Sequence, residues 1–182
     1  MKLTSILLIR SSIALLTILV GISTNSVAQE RGNDKPRQSP NASVSQTVGT
    51  TKITLTYGRP AVKGRKIWGG LVPYDNVWRS GANESTDITF SKTVTLGGQQ
   101  LDAGTYSLYT IPRKDTWTII INSKLSWGTE YDKSKDVFRF DVKPEEANQR
   151  EWLMYYFRDL TDTSATAVMH WDNVRVPFTI KI

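Results

Sequence analysis

The chain has 182 residues, a formal net charge of +6 and no cysteine. It therefore has no disulfide, no thiol nucleophile and no cysteine metal site. The first 28 residues hold two basic and no acidic residues, so the remainder has a net charge of only +4. This surplus does not indicate a nucleic-acid-binding protein, and the length suits one domain with a sizeable core.

The first 28 residues have the pattern of a secretory signal peptide. Lys2 gives a basic start, residues 13–22 form an apolar core, and Ala28 ends a small-residue cleavage motif. We expect cleavage after Ala28 and an exported protein, either periplasmic or secreted. An uncleaved membrane anchor is the alternative, but a spanning helix needs about 20 apolar residues and Arg10 interrupts the longer run. A membrane is therefore expected as a partner only through this segment before cleavage.

Residues 29–40 are polar and show no apolar periodicity. A segment of this composition cannot bury enough apolar surface to hold a fixed structure, which predicts a flexible leader. The folded part is then a single domain that spans residues 41–182.

Two-residue alternation of apolar and polar side chains dominates this domain and predicts β-strands with one buried face. It is clearest at residues 52–57, 138–142 and 174–182. The apolar runs at 117–121 and 152–157 fit central strands covered on both faces, although the second could also be a short buried helix. Shorter strands are predicted at residues 85–90, 93–96, 105–111 and 165–171.

Nine or ten short strands separated by turn signals predict an all-β, single-domain β-sandwich. A β-barrel is the alternative. Asp172 and Asn173 indicate a turn before the last strand, and only residues 144–150 could form one or two helical turns. Pro177 cannot donate a backbone hydrogen bond, which predicts that the last strand is at a sheet edge or is bulged there.

The alternation stops for 27 residues, from Gly58 to Glu84. Structureless segments longer than about 12–15 residues are uncommon in compact domains and are usually functional or disordered. Ile67, Trp68 and Trp78 are among the apolar side chains of this segment, and they are too large to leave in water. We therefore expect an ordered loop packed on the sandwich, and we place the candidate site there.

Several motifs occur in order along the chain and resemble a known family. They include YGRP, VWRSGANEST, AGTYSLYTIP and WTIIIN, and the similarity runs from about residue 39 to the C-terminus. Together they are similar to the bacterial family catalogued as domain of unknown function 2911. The resemblance implies an exported single-domain protein and implies no particular activity.

Arginines make the segment a candidate anion-binding site, because guanidinium groups suit carboxylates and phosphates. Arg79 is either such a group, held by Glu84, or half of a structural Arg79–Glu84 pair that ties the loop to the sheet. A structural pair predicts that Arg79→Ala destabilises more than Glu84→Gln. Arg59 and Arg65 belong to a basic cluster that either receives an acidic ligand or envelope polyanion, or is only solvated. The candidate ligand-binding residues are Arg59, Arg65, Trp68, Trp78, Arg79, Asn83 and Glu84.

The tryptophans also have two interpretations. Trp68, Trp78 and Trp127 could stack on the sugar rings of a glycan, but large aromatic side chains in a β-sandwich are more often part of the core. Trp127 has the most loop-like surroundings of the three. It is therefore the one expected to be available to a ligand.

No sequence pattern indicates a catalytic residue, a metal site or a cofactor. His170 is the only histidine, and it is expected to point to the surface if Met169 and Trp171 point inward. No G-x-S-x-G motif and no metal-ligand spacing occurs. We therefore predict no catalytic residue, no metal and no cofactor.

Three classes of function remain. The first is non-enzymatic binding of a small molecule, a glycan or an envelope partner through residues 58–84. The second is a glycosidase-like hydrolase that uses Asp75, Glu84 or Asp87, two of which would lie roughly 5–9.5 Å apart in a cleft. The third is a scaffold without a small-molecule site. An open cleft lined by the candidate residues would favour the first class.

Overall fold

The computed structural model describes residues 31–32 and 34–182, so the predicted signal segment lies outside the described residues. The strands are β1 (Asn41–Val48), β2 (Thr51–Gly58), β3 (Thr86–Phe90), β4 (Val94–Leu96), β5 (Gln99–Leu101), β6 (Gly104–Ile111), β7 (Trp117–Asn122), β8 (Asp136–Val142), β9 (Glu145–Arg158) and β10 (Ser164–Lys181). Within the described residues the one helical element is a 3-10 turn at Lys133–Lys135. None of those residues forms a helix with the length and apolar character needed to cross a bilayer.

The strands form two antiparallel sheets that pack as a β-sandwich and do not close into a barrel. The first sheet has the spatial order β1-β2-β3-β6-β7-β8, and the second has the order β5-β4-β10-β9. The predicted all-β sandwich is confirmed. The strands β1 and β5 were not predicted, because their mostly polar sequences give weak alternation.

The core lies between the sheets, where the predicted alternation places it. Ile53, Leu55 and Tyr57 of β2 are buried, whereas Lys52 is exposed. All six residues of β7 are buried, as predicted for a central strand covered on both faces. On the outer face of this strand, Ile120 belongs to a second small apolar cluster.

The long strands β9 and β10 correct two predictions. The stretch 144–150, which could have formed helical turns, lies almost entirely in β9, and the predicted turn at Asp172 and Asn173 is a bulge within β10. Asp172 has a φ of 50°, and an irregularity of this kind lets a strand bend and continue instead of turning back. The run 152–157 is a strand as predicted, but it lies at a sheet edge and is only partly covered.

His170 is buried, so the prediction of a surface histidine is wrong. Its exposed fraction is 8%, and its Nε2 lies 3.0 Å from the carbonyl oxygen of Asn148 on β9. The register of β10 shifts just after His170, and the neighbours Met169 and Trp171 are buried as well. Alternation fails as a guide where a strand is bulged and covered on both faces.

Pro177 lies where the sequence predicts an interruption of the sheet. The stretch of β10 paired with β9 ends at Arg175, and the stretch paired with β4 begins at Ile180. Pro177 falls between them, so neither ladder requires the N–H that proline lacks.

The loop that joins β2 to β3, residues 59–85, is ordered and packed, as predicted. We call it the β2–β3 loop. Its Trp68 lies with ring centroids 4.9 Å from Trp117 of β7 and 5.8 Å from Trp171 of β10. The loop therefore inserts an aromatic side chain between the two sheets, and this insertion fixes the position of the residues around it.

Candidate functional site

A cleft of about 380 Å³ opens at the β2–β3 loop. Loop residues form most of its lining, Gln38 and Ser39 contribute from the leader, and Trp171 contributes from β10. The cleft is thus built from three parts of the chain that are far apart in sequence. Only the loop contribution could be expected from the sequence pattern.

The charged side chains that line the cleft are all cationic: Lys63, Arg65 and Arg79. Arg65 is positioned by backbone carbonyls, since its Nε donates to Val62 at 3.0 Å and its Nη2 to Ala61 at 2.6 Å. No carboxylate lines the cleft among the described residues. The cleft therefore has an unbalanced positive charge.

Arg79 lines the cleft without an acidic partner, and the predicted Arg79–Glu84 pair is wrong. Its Nε is buried and has no hydrogen-bond partner, and no ion pair joins it to another described residue. Burial lowers the pKa of the Arg79 guanidinium below its ordinary value, although Tyr109 opposes that shift. Gly128 packs against it so closely that a Cβ there would lie 1.9 Å from Arg79 Cδ. The side chain is thus held in place by packing and not by charge pairing.

Glu84 turns away from the cleft toward the leader. Its Oε1 accepts a hydrogen bond from Arg37 Nη2 at 2.7 Å, and its Oε2 lies 3.7 Å from Arg31 Nη1. The reason is the backbone between the two members of the predicted pair, because Ser80 and Asn83 both have positive φ, 56° and 66°. These turns direct Arg79 and Glu84 to different surroundings.

Three of the six described non-glycine residues with positive φ lie at or beside the cleft. Lys63, Ser80 and Asn83 adopt this conformation, which is unfavourable for residues with a Cβ and is often found at functional sites. Ser80 is fully buried, and its carbonyl oxygen accepts a hydrogen bond from the Tyr155 hydroxyl at 2.8 Å. The surrounding hydrogen bonds therefore keep the loop in a conformation that its sequence alone does not favour.

Two aromatic rings belong to the apolar part of the lining, together with aliphatic side chains such as Leu71 and Val72. Trp78 and Trp171 are stacked, with ring centroids 5.8 Å apart and an interplanar angle of 19°. Both rings line the cleft. Trp127 is 46% exposed, as expected for a loop residue, but it is not part of the lining.

A second depression, of about 720 Å³, lies between β8, β9 and β10 and differs in its charges. Glu145 and Arg158 line it, and their side chains pair at 2.8 Å. Arg175 lies 3.4 Å from the same Glu145 carboxylate. This depression is more open than the cleft, and its charges are already compensated, so it is the weaker candidate.

Comparison with known proteins identifies the family. A family model described as "Protein of unknown function (DUF2911)" matches residues 39–180. The chain belongs to the DUF2911 family. Searches of curated proteins and of solved structures returned no match. The family membership confirms the resemblance and assigns no activity to this DUF2911 protein.

The structure of this DUF2911 chain places some of the predicted site residues together and separates others. Four of them line the cleft: Arg65, Trp78, Arg79 and Asn83. Arg59 donates instead to the carbonyl oxygen of Leu153 at 2.8 Å, and Trp68 is 7% exposed in the core. Trp171 and the two leader residues of the lining were missed, because no local pattern links them to the loop.

The acids of the DUF2911 chain do not form a hydrolytic site in the cleft. Asp75 is exposed and pairs with Arg113 at 2.8 Å, while Glu84 and Asp87 are buried and lie outside the lining. Within the part of the chain that the structure describes, no three histidines or acids lie close enough together to hold a metal ion. The geometry gives the carboxylate-hydrolase alternative no support.

Proposed function

We propose that the cleft binds a small anionic ligand and that the protein is a non-enzymatic binding protein. The observation that carries this proposal is Arg79. Its Nε is buried without a partner, and burying a charged group without compensation is unfavourable. No acid of the described residues pairs with Arg79, so an anion in the cleft would compensate the guanidinium charge through charge-assisted hydrogen bonds.

The dimensions of the cleft and its apolar surface narrow the class of ligand. A volume of about 380 Å³ falls within the range of roughly 300–1,000 Å³ that is usual for small-molecule sites. Trp78 and the exposed Leu71 offer an apolar surface, and Asn83 adds an amide to the lining. A carboxylate on a ring, such as an acidic sugar, fits this combination better than inorganic phosphate does.

A ligand screen with charge-matched pairs tests the proposal. The melting temperature of residues 29–182 is measured with organic acids and uronic acids, each beside its neutral amide or neutral sugar. We expect the acids to raise the melting temperature and the neutral members to have little effect, with the shift reduced by salt.

Two variants link any shift to the cleft. Arg79→Gln is expected to abolish the shift, whereas Arg113→Gln, which changes an arginine outside the lining, should keep it. A shift that persists in Arg79→Gln, or one that the neutral compounds produce equally, would overturn the proposal.

We further propose that the protein acts in the periplasm or outside the cell. The support is the signal pattern of residues 1–28, with its apolar core and the Ala28 cleavage motif. Mass analysis of the exported protein is expected to show a chain that begins at Gln29. An exported chain that still carries Met1 would contradict cleavage.

A further inference from the structure

Glu84 and Asp87 form a buried pair of carboxylates outside the cleft. Each residue is 3% exposed. In β3, Ile88 and Phe90 pack into the core between the sheets, so the alternating Asp87 lies on the outer face. Leader residues cover this position, and Arg31, itself only 9% exposed, lies against both acids.

We propose that Glu84, Asp87 and the carbonyl of Ser85 form a binding site for a guanidinium group, which Arg31 occupies in this structure. Arg31 Nη2 lies 3.2 Å from Asp87 Oδ2 and donates to the Ser85 carbonyl oxygen. Arg31 Nη1 lies 3.7 Å from Glu84 Oε2. Acceptors on several sides of a planar donor group suit a guanidinium better than a compact ammonium.

The charges of the site require a cation at this position. Two carboxylates are buried there, and Arg37 approaches only Glu84, at 2.7 Å, with 20% of its own side chain exposed. Asp87 has no cationic partner other than Arg31 among the described residues. Without Arg31, a buried negative charge would therefore remain uncompensated.

Arg31 leaves several hydrogen-bonding atoms of the site without a partner, so another guanidinium can take its place. Glu84 Oε2 and Asp87 Oδ1 are buried without a hydrogen-bond partner, and so are Arg31 Nε and Nη1. The leader backbone restrains where the Arg31 guanidinium can lie. A guanidinium free of that restraint can shift to satisfy these oxygens, so the vacated site should accept a small alkylguanidinium.

Buried hydroxyl groups next to the site are joined by hydrogen bonds that hold Ser85 in position. Ser85 Oγ lies 2.7 Å from Ser107 Oγ, and Ser126 Oγ lies 3.2 Å from the Tyr109 hydroxyl. Ser85 Oγ also donates to the Ser126 carbonyl oxygen at 3.1 Å. None of these hydrogen bonds involves Arg31, so the Ser85 carbonyl should keep its position when Arg31 is removed, as binding of another guanidinium requires.

Occupation of the site also fixes one wall of the cleft. From Arg31 the leader runs to Ser39, whose carbonyl oxygen accepts a hydrogen bond from Asn83 Nδ2 at 3.1 Å, and Ser39 lines the cleft. The guanidinium site therefore anchors the leader beside the cleft. Its existence does not depend on which ligand the cleft binds.

Chemical rescue tests the site. Arg31→Ala in residues 29–182 removes the occupant, and methylguanidinium is then titrated while the melting temperature and the amide signals of Ser85 and Asp87 are followed. We expect a saturable rise in melting temperature and saturable signal shifts in the variant at millimolar probe. Wild type, whose site is filled, and Arg113→Ala, which loses an exposed arginine elsewhere, should show neither.

Methylammonium and a second substitution make the test specific. Methylammonium at the same concentration should give a clearly smaller effect, and adding Asp87→Asn to Arg31→Ala should abolish the response to methylguanidinium. The proposal is overturned if Arg31→Ala gains no response, or if its response survives Asp87→Asn. Arg79→Gln, which tests the cleft, should leave the rescue unchanged when combined with Arg31→Ala.

A measurement on the wild type covers the case in which Arg31→Ala does not fold. Arginine side-chain ¹⁵N spectra should include a guanidinium signal with slow rotation and slow proton exchange that disappears in Arg31→Lys, whereas signals from other hydrogen-bonded arginines such as Arg65 should remain. If Arg31→Lys removes no such signal, Arg31 does not occupy the site and the proposal fails.

Discussion

Two arginines, the buried Arg31 and the half-buried Arg79, lie on opposite sides of the 79–84 turn and have opposite surroundings. Arg31 lies against Glu84 and Asp87, so its charge is compensated inside the protein. Arg79 lies in the cleft with no acid beside it. The same side chain therefore contributes to the fold in one place and has no acidic partner among the described residues in the other, which is the observation behind the proposed anion site.

The difference shows that the role of a charged residue, structural or ligand-binding, can be assigned only when its partners are known. The basic cluster in the β2–β3 loop could not be assigned from residue types alone. The decisive observation is that Glu84, the acid predicted to pair with Arg79, faces Arg37 and Arg31 instead. The free guanidinium in the cleft follows from this arrangement.

The largest loss of stability should come from breaking the ion pairs around Arg31. Glu84→Gln removes the acid that Arg31 and Arg37 share, and breaking a buried pair of this kind should lower the free energy of unfolding by about 3 kcal/mol. Arg79→Gln breaks no ion pair and should change it by less than about 1 kcal/mol. Urea unfolding at neutral pH measures both.

This order is the reverse of what an Arg79–Glu84 pair would give. Under that pairing Arg79→Ala is the more damaging change and Glu84→Gln the milder one. An Arg79 variant that unfolds more easily than Glu84→Gln would show that the two arginines do not differ as the structure indicates.

The second effect is a dependence of the free energy of unfolding on pH, and it comes from Asp87. Burial raises the pKa of Asp87 to about 6, although the charge of Arg31 and its hydrogen bond oppose the shift. Because the native state holds this proton more tightly than the unfolded state, the contribution of Asp87 to stability falls as pH rises from about 4 to 6. The pKa of Glu84 shifts in the opposite direction. Burial alone would raise it, but Arg37 and Arg31 outweigh that effect and lower the pKa below its usual value.

The Asp87→Asn variant isolates this contribution. Relative to wild type, its free energy of unfolding should rise by about 2 kcal/mol between pH 4 and pH 7, since the variant has no carboxyl to ionise. Urea unfolding at the two pH values measures the change. A difference between the two proteins that stays constant with pH would contradict a raised pKa at Asp87.

The third effect moves Arg79 without removing its charge. In Gly128→Ala the new Cβ would lie 1.9 Å from Arg79 Cδ and 2.8 Å from the Asn83 carbonyl oxygen. We expect a loss of stability of about 1–2 kcal/mol from overpacking, and a large loss of any anion-induced shift in melting temperature.

A double-mutant cycle shows whether Arg79 is the cause. Adding Arg79→Ala to Gly128→Ala removes the Arg79 Cδ atom that the new methyl group would meet, so the stability lost through Gly128→Ala should shrink. If Gly128→Ala costs the same stability with and without the Arg79 substitution, the clash is with the Asn83 carbonyl oxygen and not with Arg79.

Much of the fold was predictable because strands carry a local signal. The alternation in β2 and at the end of β10 identified the buried faces correctly, and the apolar run of β7 identified a covered central strand. The errors came where local pattern and tertiary contact disagree. The bulge at Asp172 let β10 continue through an apparent turn, and β9 covered His170.

The site was only partly predictable, because its walls come from distant parts of the chain. The unusual length and aromatic content of the β2–β3 loop correctly indicated an ordered segment. The composition of residues 29–40 predicts a flexible leader, yet the structure places Arg31 and Arg37 on buried acids. Composition measures the apolar area that a segment can bury, and it does not reveal charge partners supplied by a sheet.

The smallest effect should come from a third arginine, which is neither buried nor unpaired. Arg113 Nε lies 2.8 Å from Asp75 Oδ1, and the two side chains are 41% and 72% exposed. Exposed ion pairs contribute little because water and salt screen them, so Arg113→Ala should lower the free energy of unfolding by less than about 1 kcal/mol. Its Nη1 also donates to Thr118 at 2.9 Å, which explains any part of the loss that persists in high salt. Urea unfolding in low and high salt measures both parts. A loss as large as that of Glu84→Gln would mean that burial and partners do not determine what an arginine contributes in this protein.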